Sequence, residues 1–382
     1  MSGRRDPRRS PGTAASRRRR PRRSGSFVFR HQALIVAAVV AVMIGLGIGV
    51  PLSRSLAGGS GTGPARPAAY RVVYEESLNG SPARWEVLSV RRPFESADLV
   101  YTTAGPPSPS DRPTSGSVST EQRLYDVDAS GLHDVGGRQP GPPSGDQDLA
   151  GQLPEMLHRG LASDRGSDRR VAGRSCHVYR FLEPPVGPVR HLGGPTEHDE
   201  LCIDAAGLVL SETWTLDGRV VTQRSATSVS LAAVAIPPVS GASPTAGNAS
   251  LVSPATDQRS FLAPPAPVPG YHAVPPVRFT LPDPLHPSSL TAASVVWTFV
   301  KGADVVTVEA GNERPGQLPW QPDDTVTEPV SLAGLGPARS AIRSDGAEIR
   351  VDLEGGSWVR VRGTMPASAL ADYANGLRLA AR

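Results

Sequence analysis

An uninterrupted apolar run near the N-terminus, residues 33–52, constrains this chain more than any other feature. It reads Ala-Leu-Ile-Val-Ala-Ala-Val-Val-Ala-Val-Met-Ile-Gly-Leu-Gly-Ile-Gly-Val-Pro-Leu, without one charged side chain. Twenty helical residues span about 30 Å, which is the thickness of the hydrocarbon core of a bilayer. A helix at the surface of a soluble core would keep a polar stripe, and this run has none. The sequence therefore predicts a transmembrane helix over residues 31–52.

The residues before this run set the predicted topology. Residues 1–30 hold eleven arginines and a single acid, Asp6, and they show no apolar periodicity, which predicts a disordered tail. Basic residues beside a membrane span stay in the cytoplasm. We therefore expect a single-pass protein of the cell membrane, with its N-terminus cytoplasmic and its C-terminal domains extracytoplasmic. The tail would also attract anionic lipid head groups. Its densest arginines are Arg17, Arg18, Arg19, Arg20, Arg22 and Arg23.

A cleaved signal peptide is the competing interpretation of the apolar run. The small residues Ser55 and Ala57 precede Gly58 in a pattern typical of a cleavage site. The apolar region of a signal peptide usually has about 7–15 residues, however, and this run is longer. A permanent anchor is therefore favoured, with cleavage after Ala57 as the alternative.

The positive net charge of the chain resides in the tail. The whole chain carries +4, whereas residues 1–30 carry +10, so the remainder carries about −6. The pI near 9.4 thus says little about the extracytoplasmic part. A mildly acidic surface does not favour nucleic acid, and no nucleic-acid partner is expected.

The chain has two cysteines, Cys176 and Cys202, and the predicted topology places both outside the membrane. An oxidising compartment favours a disulfide between them. A metal site would need more ligands than these two thiols.

Alternating apolar and polar residues predict antiparallel strands across the first extracytoplasmic region. Between them, residues 105–120 are rich in Pro and Ser and are expected to break the pattern. Residues 148–162 carry Leu every fourth position, which indicates one apolar helical face. Pro154 is unfavourable inside a helix and suited to its first turn, so a helix that begins at Pro154 is an alternative. The predicted strands cover residues 70–75, 84–91, 99–101, 123–127, 171–181, 201–203, 208–214 and 219–229.

The second half of the chain is expected to be small and α+β. Strands at 348–354 and 357–362 form a hairpin, and a final helix opens at Pro366 with Leu370, Tyr373 and Leu377 on its inner face. The predicted organisation is a spacer at 53–68, a first domain at 69–232, a Pro/Ser/Ala linker at 233–265 and a second domain at 266–382.

Catalytic motifs are sparse. His191 and His198 lie in one acidic segment with Glu197, Asp199 and Glu200, but the spacing matches no known metal motif, and a solvated loop is the favoured interpretation. The sequence has no Gly-x-Ser-x-Gly elbow, no P-loop and no Gly-x-Gly-x-x-Gly that opens a helix. We therefore predict that the chain is not an enzyme and uses no metal or other cofactor.

Aromatic residues on the predicted strands are the candidate binding residues. They either pack as an ordinary core or line an apolar cavity under a curved sheet. The six candidates are Tyr70, Tyr74, Trp85, Tyr179, Phe181 and Trp214.

Three segments resemble the strand–turn–strand repeat of the LolA-like superfamily, which includes lipoprotein carriers and the MucB/RseB-type regulators. They are residues 176–181 (Cys-His-Val-Tyr-Arg-Phe), residues 201–210 (Leu-Cys-Ile-Asp-Ala-Ala-Gly-Leu-Val-Leu) and residues 212–218, which contain Glu-Thr-Trp and the turn Asp-Gly. Cys202 stands where the family usually has an aromatic residue. In the second half, residues 269–271 (Pro-Gly-Tyr) resemble the start of the small C-terminal domain of the regulator branch.

This resemblance implies a curved antiparallel half-barrel that wraps around helices and holds an apolar cavity, followed by a small α+β domain. It implies a binding or regulatory protein that senses a hydrophobic ligand, such as a lipid or acyl chain, or a partner protein such as an anti-sigma factor in envelope-stress regulation. The predicted span would anchor this protein in the membrane. The alternatives are a tethered lipid or lipoprotein transport component and a structural scaffold. The regulators are typically soluble in the periplasm, and this chain departs from them in its predicted span.

Overall fold

The computed structural model describes residues 66–380, except for 79–80, 82, 144, 148, 182–197, 233, 245–250, 256–259, 283–289, 313–326 and 344. The predicted membrane span and the arginine-rich tail lie outside the described residues, as do His191 and Glu197. Neither of the α-helices in the described residues combines the length and the hydropathy that a bilayer crossing requires. The topology and the localisation therefore stay predictions.

The first half of the described chain forms a twelve-stranded sheet, here called sheet 1. Neighbouring strands are antiparallel throughout, except that the short β12 runs parallel to β6. The spatial order is β12-β6-β5-β4-β3-β2-β1-β11-β10-β9-β8-β7. The strands are β1 (Ala69–Leu78), β2 (Arg84–Arg91), β3 (Glu95–Tyr101), β4 (Ser115–Ser119), β5 (Arg123–Asp128), β6 (Gly131–Gly137), β7 (Ala162–Val171), β8 (Arg174–Phe181), β9 (His198–Asp204), β10 (Val209–Leu216), β11 (Arg219–Ser230) and β12 (Ser243–Pro244).

One strand lies in the segment expected to break the sheet. β4 pairs with β3 and places Gly116 opposite Leu99, beside the backbone of Asp98. A Cβ atom at residue 116 would lie 2.2 Å from the carbonyl oxygen of Asp98, so only glycine fits this close approach. The Pro and Ser residues around β4 predict a break in the sheet, but the close approach at Gly116 allows a strand to form there.

The helix of the first half within the described residues, α1 (Leu149–His158), begins five residues before Pro154. The alternative start at Pro154 is therefore wrong. The N–H of Leu149 donates to the carbonyl oxygen of Gly207 at 3.2 Å, in the turn between β9 and β10. Gly207 has φ +82° and a Cβ atom there would lie 2.6 Å from the backbone nitrogen of Ala150. The helix start is thus held by a tertiary contact that the local sequence pattern does not contain.

The second half forms an eight-stranded antiparallel sheet, here called sheet 2, with one helix. Its spatial order is β13-β14-β15-β16-β20-β19-β18-β17. The elements are β13 (Leu251–Pro254), β14 (His272–Pro282), β15 (Leu290–Lys301), β16 (Asp304–Asn312), β17 (Thr327–Leu332), β18 (Gly336–Arg343), β19 (Gly346–Asp352), β20 (Ser357–Gly363) and α2 (Ala367–Ala374), with a turn of 3-10 helix at Glu354–Gly356.

One large apolar core joins the two sheets through α1. It contains Leu149 and Met156 of α1, Phe181 and Leu201 of sheet 1, and a set of Val, Ile and Ala side chains from sheet 2 and α2. The amide of Gln152 also donates to the carbonyl oxygens of Thr364 and Met365, both at 3.2 Å. Within the described residues, the two sheets therefore share a core.

The segment predicted as a linker takes part in both sheets. β12 adds to the edge of sheet 1, and β13 adds to the edge of sheet 2. Between β11 and β12, Ile236, Val239 and Ala242 pack on a smaller apolar cluster of sheet 1 that contains Trp85 and Leu99.

The described chain is mostly antiparallel β-sheet with few helices, as the sequence predicts. The half-barrel shape and the domain boundaries stay predictions.

Candidate functional site

The predicted disulfide is present. Cys176 on β8 bonds to Cys202 on β9, with a Cα–Cα distance of 5.3 Å. The two strands are neighbours, and both cysteines are buried. The disulfide therefore fixes how β8 and β9 pair. Both strands belong to the segments that resemble the LolA-like superfamily.

The six aromatic candidates do not gather at one place. Tyr70 and Tyr74 lie in one apolar cluster, Trp85 in a second, and Phe181 and Tyr179 in or against the core that joins the sheets. Trp214 is buried on β10. That these residues line one ligand cavity stays a prediction.

The two tyrosines on β1 hold the segment that leads into α1. The hydroxyl of Tyr70 donates to Asp146 at 2.9 Å and accepts from the backbone N–H of Gln147 at 2.8 Å. The hydroxyl of Tyr74 lies 2.6 Å from the carbonyl oxygen of Val209, to which it donates. Both side chains are fully buried, and burial raises the pKa of each phenol. The hydroxyl groups of Tyr70 and Tyr74 are thus used in hydrogen bonds within the chain.

Beyond Tyr74, a row of ionisable side chains crosses six adjacent strands of sheet 1. Direct cross-strand partners share a face of a sheet. Arg224 on β11 pairs with Glu76 on β1 and with Glu212 on β10. The row continues to β2 and β3 on one side and to β9 on the other. We call this set the carboxylate row: Asp98, Glu86, Arg84, Glu76, Arg224, Glu212 and Asp199.

Arg224 occupies the centre of the carboxylate row and is nearly inaccessible to solvent. Its Nη1 donates to both carboxylate oxygens of Glu86, at 2.9 and 3.0 Å, and its Nε lies 2.6 Å from Oε2 of Glu212. Its guanidinium also stacks over the ring of Tyr74, 4.6 Å from the centroid. A second arginine, Arg84, donates to Glu76 at 2.6 Å nearer the surface. Three of the five carboxylates are therefore paired.

The other two carboxylates, Asp98 and Asp199, have buried oxygens to which no N–H or hydroxyl group of the described residues donates. This is true of Oδ1 of Asp98 and of both oxygens of Asp199, whose neighbour is the acid Glu212. Burial, and then the nearby charge of Glu86, raises the pKa of Asp98 to about 7. Burial, and then the charge of Glu212, raises the pKa of Asp199 well above its usual range. An unpaired charge in this environment is costly, so both groups hold protons at mildly acidic pH.

Asp199 and Glu212 form a proton-sharing pair. Asp199 lies opposite Trp214 and Glu212 lies opposite Leu201, so the two acids are diagonal neighbours on β9 and β10. Diagonal neighbours on adjacent strands are within reach of long side chains. Burial raises the pKa of Glu212 as well, but Arg224, 2.6 Å away, opposes that rise. The pKa of Asp199 is raised further, so Asp199 is the acid of the pair that holds the proton and donates it.

The row offers negative potential and hydrogen-bond acceptors rather than a metal cage. Within the described residues, no group of three or more His, Cys, Asp or Glu side chains is placed to hold a metal ion. Its carboxylates outnumber its guanidinium groups, and its surface end at Arg84 and Asp98 is partly exposed. This arrangement can accept a cation from outside the row.

The acidic segment with His191 and His198, for which a solvated loop is the favoured interpretation, is described only from His198 onward. His198 begins β9 and is half-buried. A different histidine, His177 on β8, lies between two acids of β7, with Nε2 2.6 Å from Asp164 and Nδ1 2.6 Å from Asp168. These contacts are exposed and span the irregularity in the pairing of β7 with β8.

Sequence reasoning missed the carboxylate row, although one signal was visible. Glu212 follows Leu208 and Leu210 at the same alternate positions and precedes Trp214, so an acid stands in a run of inward-facing positions. An acid at such a position is rarely buried without a partner. No comparable signal in the sequence marks Arg224 as that partner.

No family model matches the sequence, and no curated protein matches it. Solved structures of MucB are similar to it at low identity. A crystal structure of MucB in complex with MucA(peri) is 16% identical, covers 82% of this chain and 94% of that chain, and has a TM-score of 0.25. The Pseudomonas aeruginosa MucA/MucB complex is 15% identical over the same shares, with a TM-score of 0.27. A crystal structure of MucB is 17% identical, again over 82% and 94% of the chains, with a TM-score of 0.27. Scores of this size carry no argument about function.

Proposed function

We propose that this chain is an extracytoplasmic binding protein with a regulatory role, anchored in the cell membrane by residues 31–52, and that it recognises a partner protein on sheet 1. The observation that carries the proposal is the carboxylate row, which has five acids and two arginines and buried oxygens that lack donors. Buried acids of this kind cost stability in the isolated protein, and function is a reason to retain them.

A partner protein fits the row better than an apolar ligand does. The aromatic side chains proposed for an apolar cavity lie in separate clusters, and the hydroxyls of Tyr70 and Tyr74 hold the chain's own backbone. The row instead presents acceptors and charge, which recognise polar and cationic groups. The sequence resemblance implies an envelope regulator, such as an anti-sigma factor, as the type of partner.

Site-specific photo-crosslinking in living cells of the native host tests this proposal. A photo-reactive amino acid replaces Ser117, which is half-buried on β4 opposite Asp98. The matched control replaces Arg339, an exposed residue on β18 of sheet 2. We expect one discrete protein adduct from position 117 and none of the same mass from position 339.

Adducts of equal intensity from both positions, or none from position 117, would contradict recognition on this face. An adduct with lipid alone would favour the tethered lipid carrier instead. The full-length chain is used, because the test also depends on the predicted anchor.

A further inference from the structure

We propose that the carboxylate row binds the guanidinium group of an arginine side chain from the partner protein, seated against Asp98 beside Glu86. This inference rests on the proposed function and adds the chemistry of the contact.

The geometry at Asp98 carries the proposal. Asp98 lies diagonal to Glu86, because its cross-strand partner is Leu88. Its Oδ1 is buried and has no hydrogen-bond partner in the described part of the chain, although the residue as a whole is partly exposed. Oδ1 of Asp98 is therefore shielded from water and accepts no hydrogen bond from the described residues, yet it lies at the end of the row that solvent reaches.

The charged groups around Asp98 leave room for one more cation. On β2 and β1 the acids Glu86 and Glu76 face it, and the cations are Arg84 and Arg224. Arg224 is shared between Glu86 and Glu212, and Arg84 is paired with Glu76. On the other side, β4 places Ser117 opposite Asp98, and β5 places the exposed acid Asp126 opposite Ser117.

A guanidinium group suits this place better than a compact cation. Its planar fork donates to two acceptors at once and is weakly hydrated, so it enters a partly buried site at lower cost than an ammonium group. Arg224 already illustrates this preference, since it contacts two carboxylates of the row and stacks on Tyr74.

Cation binding and proton binding compete at Asp98. Below pH 7 its carboxyl is mostly protonated, and a guanidinium must displace that proton. Affinity should therefore rise with pH. The charged fraction of a group with a pKa of about 7 increases about tenfold between pH 6 and pH 8, and the affinity should follow it.

Titration calorimetry on the full-length protein in detergent micelles tests the inference. The probe is N-acetyl-arginine amide, and the control is N-acetyl-citrulline amide, which has the same shape without the charge. We expect the arginine probe to bind about tenfold more tightly at pH 8 than at pH 6, with protons released, and the citrulline probe not to bind. Asp98→Asn should abolish the pH dependence, whereas Asp126→Asn should keep it.

Equal binding of the two probes, or no binding of the arginine probe at pH 8, would overturn the inference. The comparison of the two probes uses the unaltered protein and so holds even if Asp98→Asn fails to fold. If the arginine probe fails while the crosslink from position 117 persists, the guanidinium contact is wrong and partner recognition stands. Loss of both would remove the proposed function as well.

Discussion

At the scale of single residues, Arg224 is the buried cation at the centre of the carboxylate row. A buried ion pair seldom adds net stability, but removal of one partner leaves the other charge uncompensated and costs about 3–5 kcal/mol. Arg224 is held by Glu86 and Glu212, whereas Asp199 has no cation of its own among the described contacts. Replacement of Glu212 or of Asp199 by its neutral amide should therefore change the free energy of unfolding by different amounts.

Glu212→Gln should lower the free energy of unfolding by about 3 kcal/mol at pH 7, because Arg224 loses one of its two carboxylates. Asp199→Asn should change it by less than about 1 kcal/mol, because the amide resembles the protonated carboxyl and can donate in its place. Urea denaturation of both variants measures the difference. A loss in Asp199→Asn as large as that in Glu212→Gln would show that Asp199 is ionised.

Residue patterns predicted some of these contacts and not others. Cys176 and Cys202 could be paired from the sequence, because the predicted extracytoplasmic location favours a disulfide and two cysteines allow a single intramolecular one. The row could not be assembled, because Asp98 and Arg224 are brought together by strands that lie far apart in the chain. The alternation of side chains predicts which residues of one strand share a face, but it does not predict which strands are neighbours in the sheet.

At the scale of elements, β7 is the edge strand of sheet 1, and most of its side chains are exposed. Its pairing with β8 is irregular between Asp164 and Asp168, and His177 spans the gap by contacts to both. These hydrogen bonds raise the pKa of His177 above its ordinary value. A histidine whose folded pKa is raised contributes stability that is fully present below the unfolded pKa.

The amides of β7 next to the irregularity should therefore lose protection from hydrogen exchange as pH rises through the folded pKa of His177. Exchange measured at several pH values, corrected for the intrinsic rate, checks this. His177→Gln is the control and should remove the pH dependence. If the protection of these amides from exchange is unchanged from pH 6 to pH 9, the contacts of protonated His177 with Asp164 and Asp168 do not stabilise β7.

About half of the strands in the described residues overlap strands that the sequence predicts, and two of the differences have a visible physical cause. β4 is short and rich in serine, and it depends on the close approach that Gly116 permits. The start of α1 depends on Gly207, more than fifty residues away in the chain. For β4 a backbone contact between distant segments outweighs the local pattern, and for α1 such a contact supports the start that the leucine periodicity indicates, despite Pro154.

At the scale of the whole molecule, the described residues form two antiparallel sheets that share a core through α1. The segment from β12 to β13 contributes a strand to each sheet. Its Pro, Ser and Ala composition predicted a linker, because short edge strands with few apolar residues carry little signal of their own.

The anchor gives a prediction at this scale. Intact-mass measurement of the protein from membranes should give the full chain of 40.0 kDa, and protease added to spheroplasts should digest the C-terminal part while the arginine-rich tail stays protected. A mature chain that begins at Gly58 would instead establish cleavage after Ala57 and a protein released from the membrane.

Carboxylates outnumber guanidinium groups in the buried row on sheet 1, so acids there hold protons near neutral pH. The most direct test follows the side-chain carboxyl carbon of Asp98 by NMR as pH is varied, with Asp126 as the exposed reference. We expect a midpoint of about 7 for Asp98. A midpoint near 4, the ordinary value of an aspartate, would contradict it.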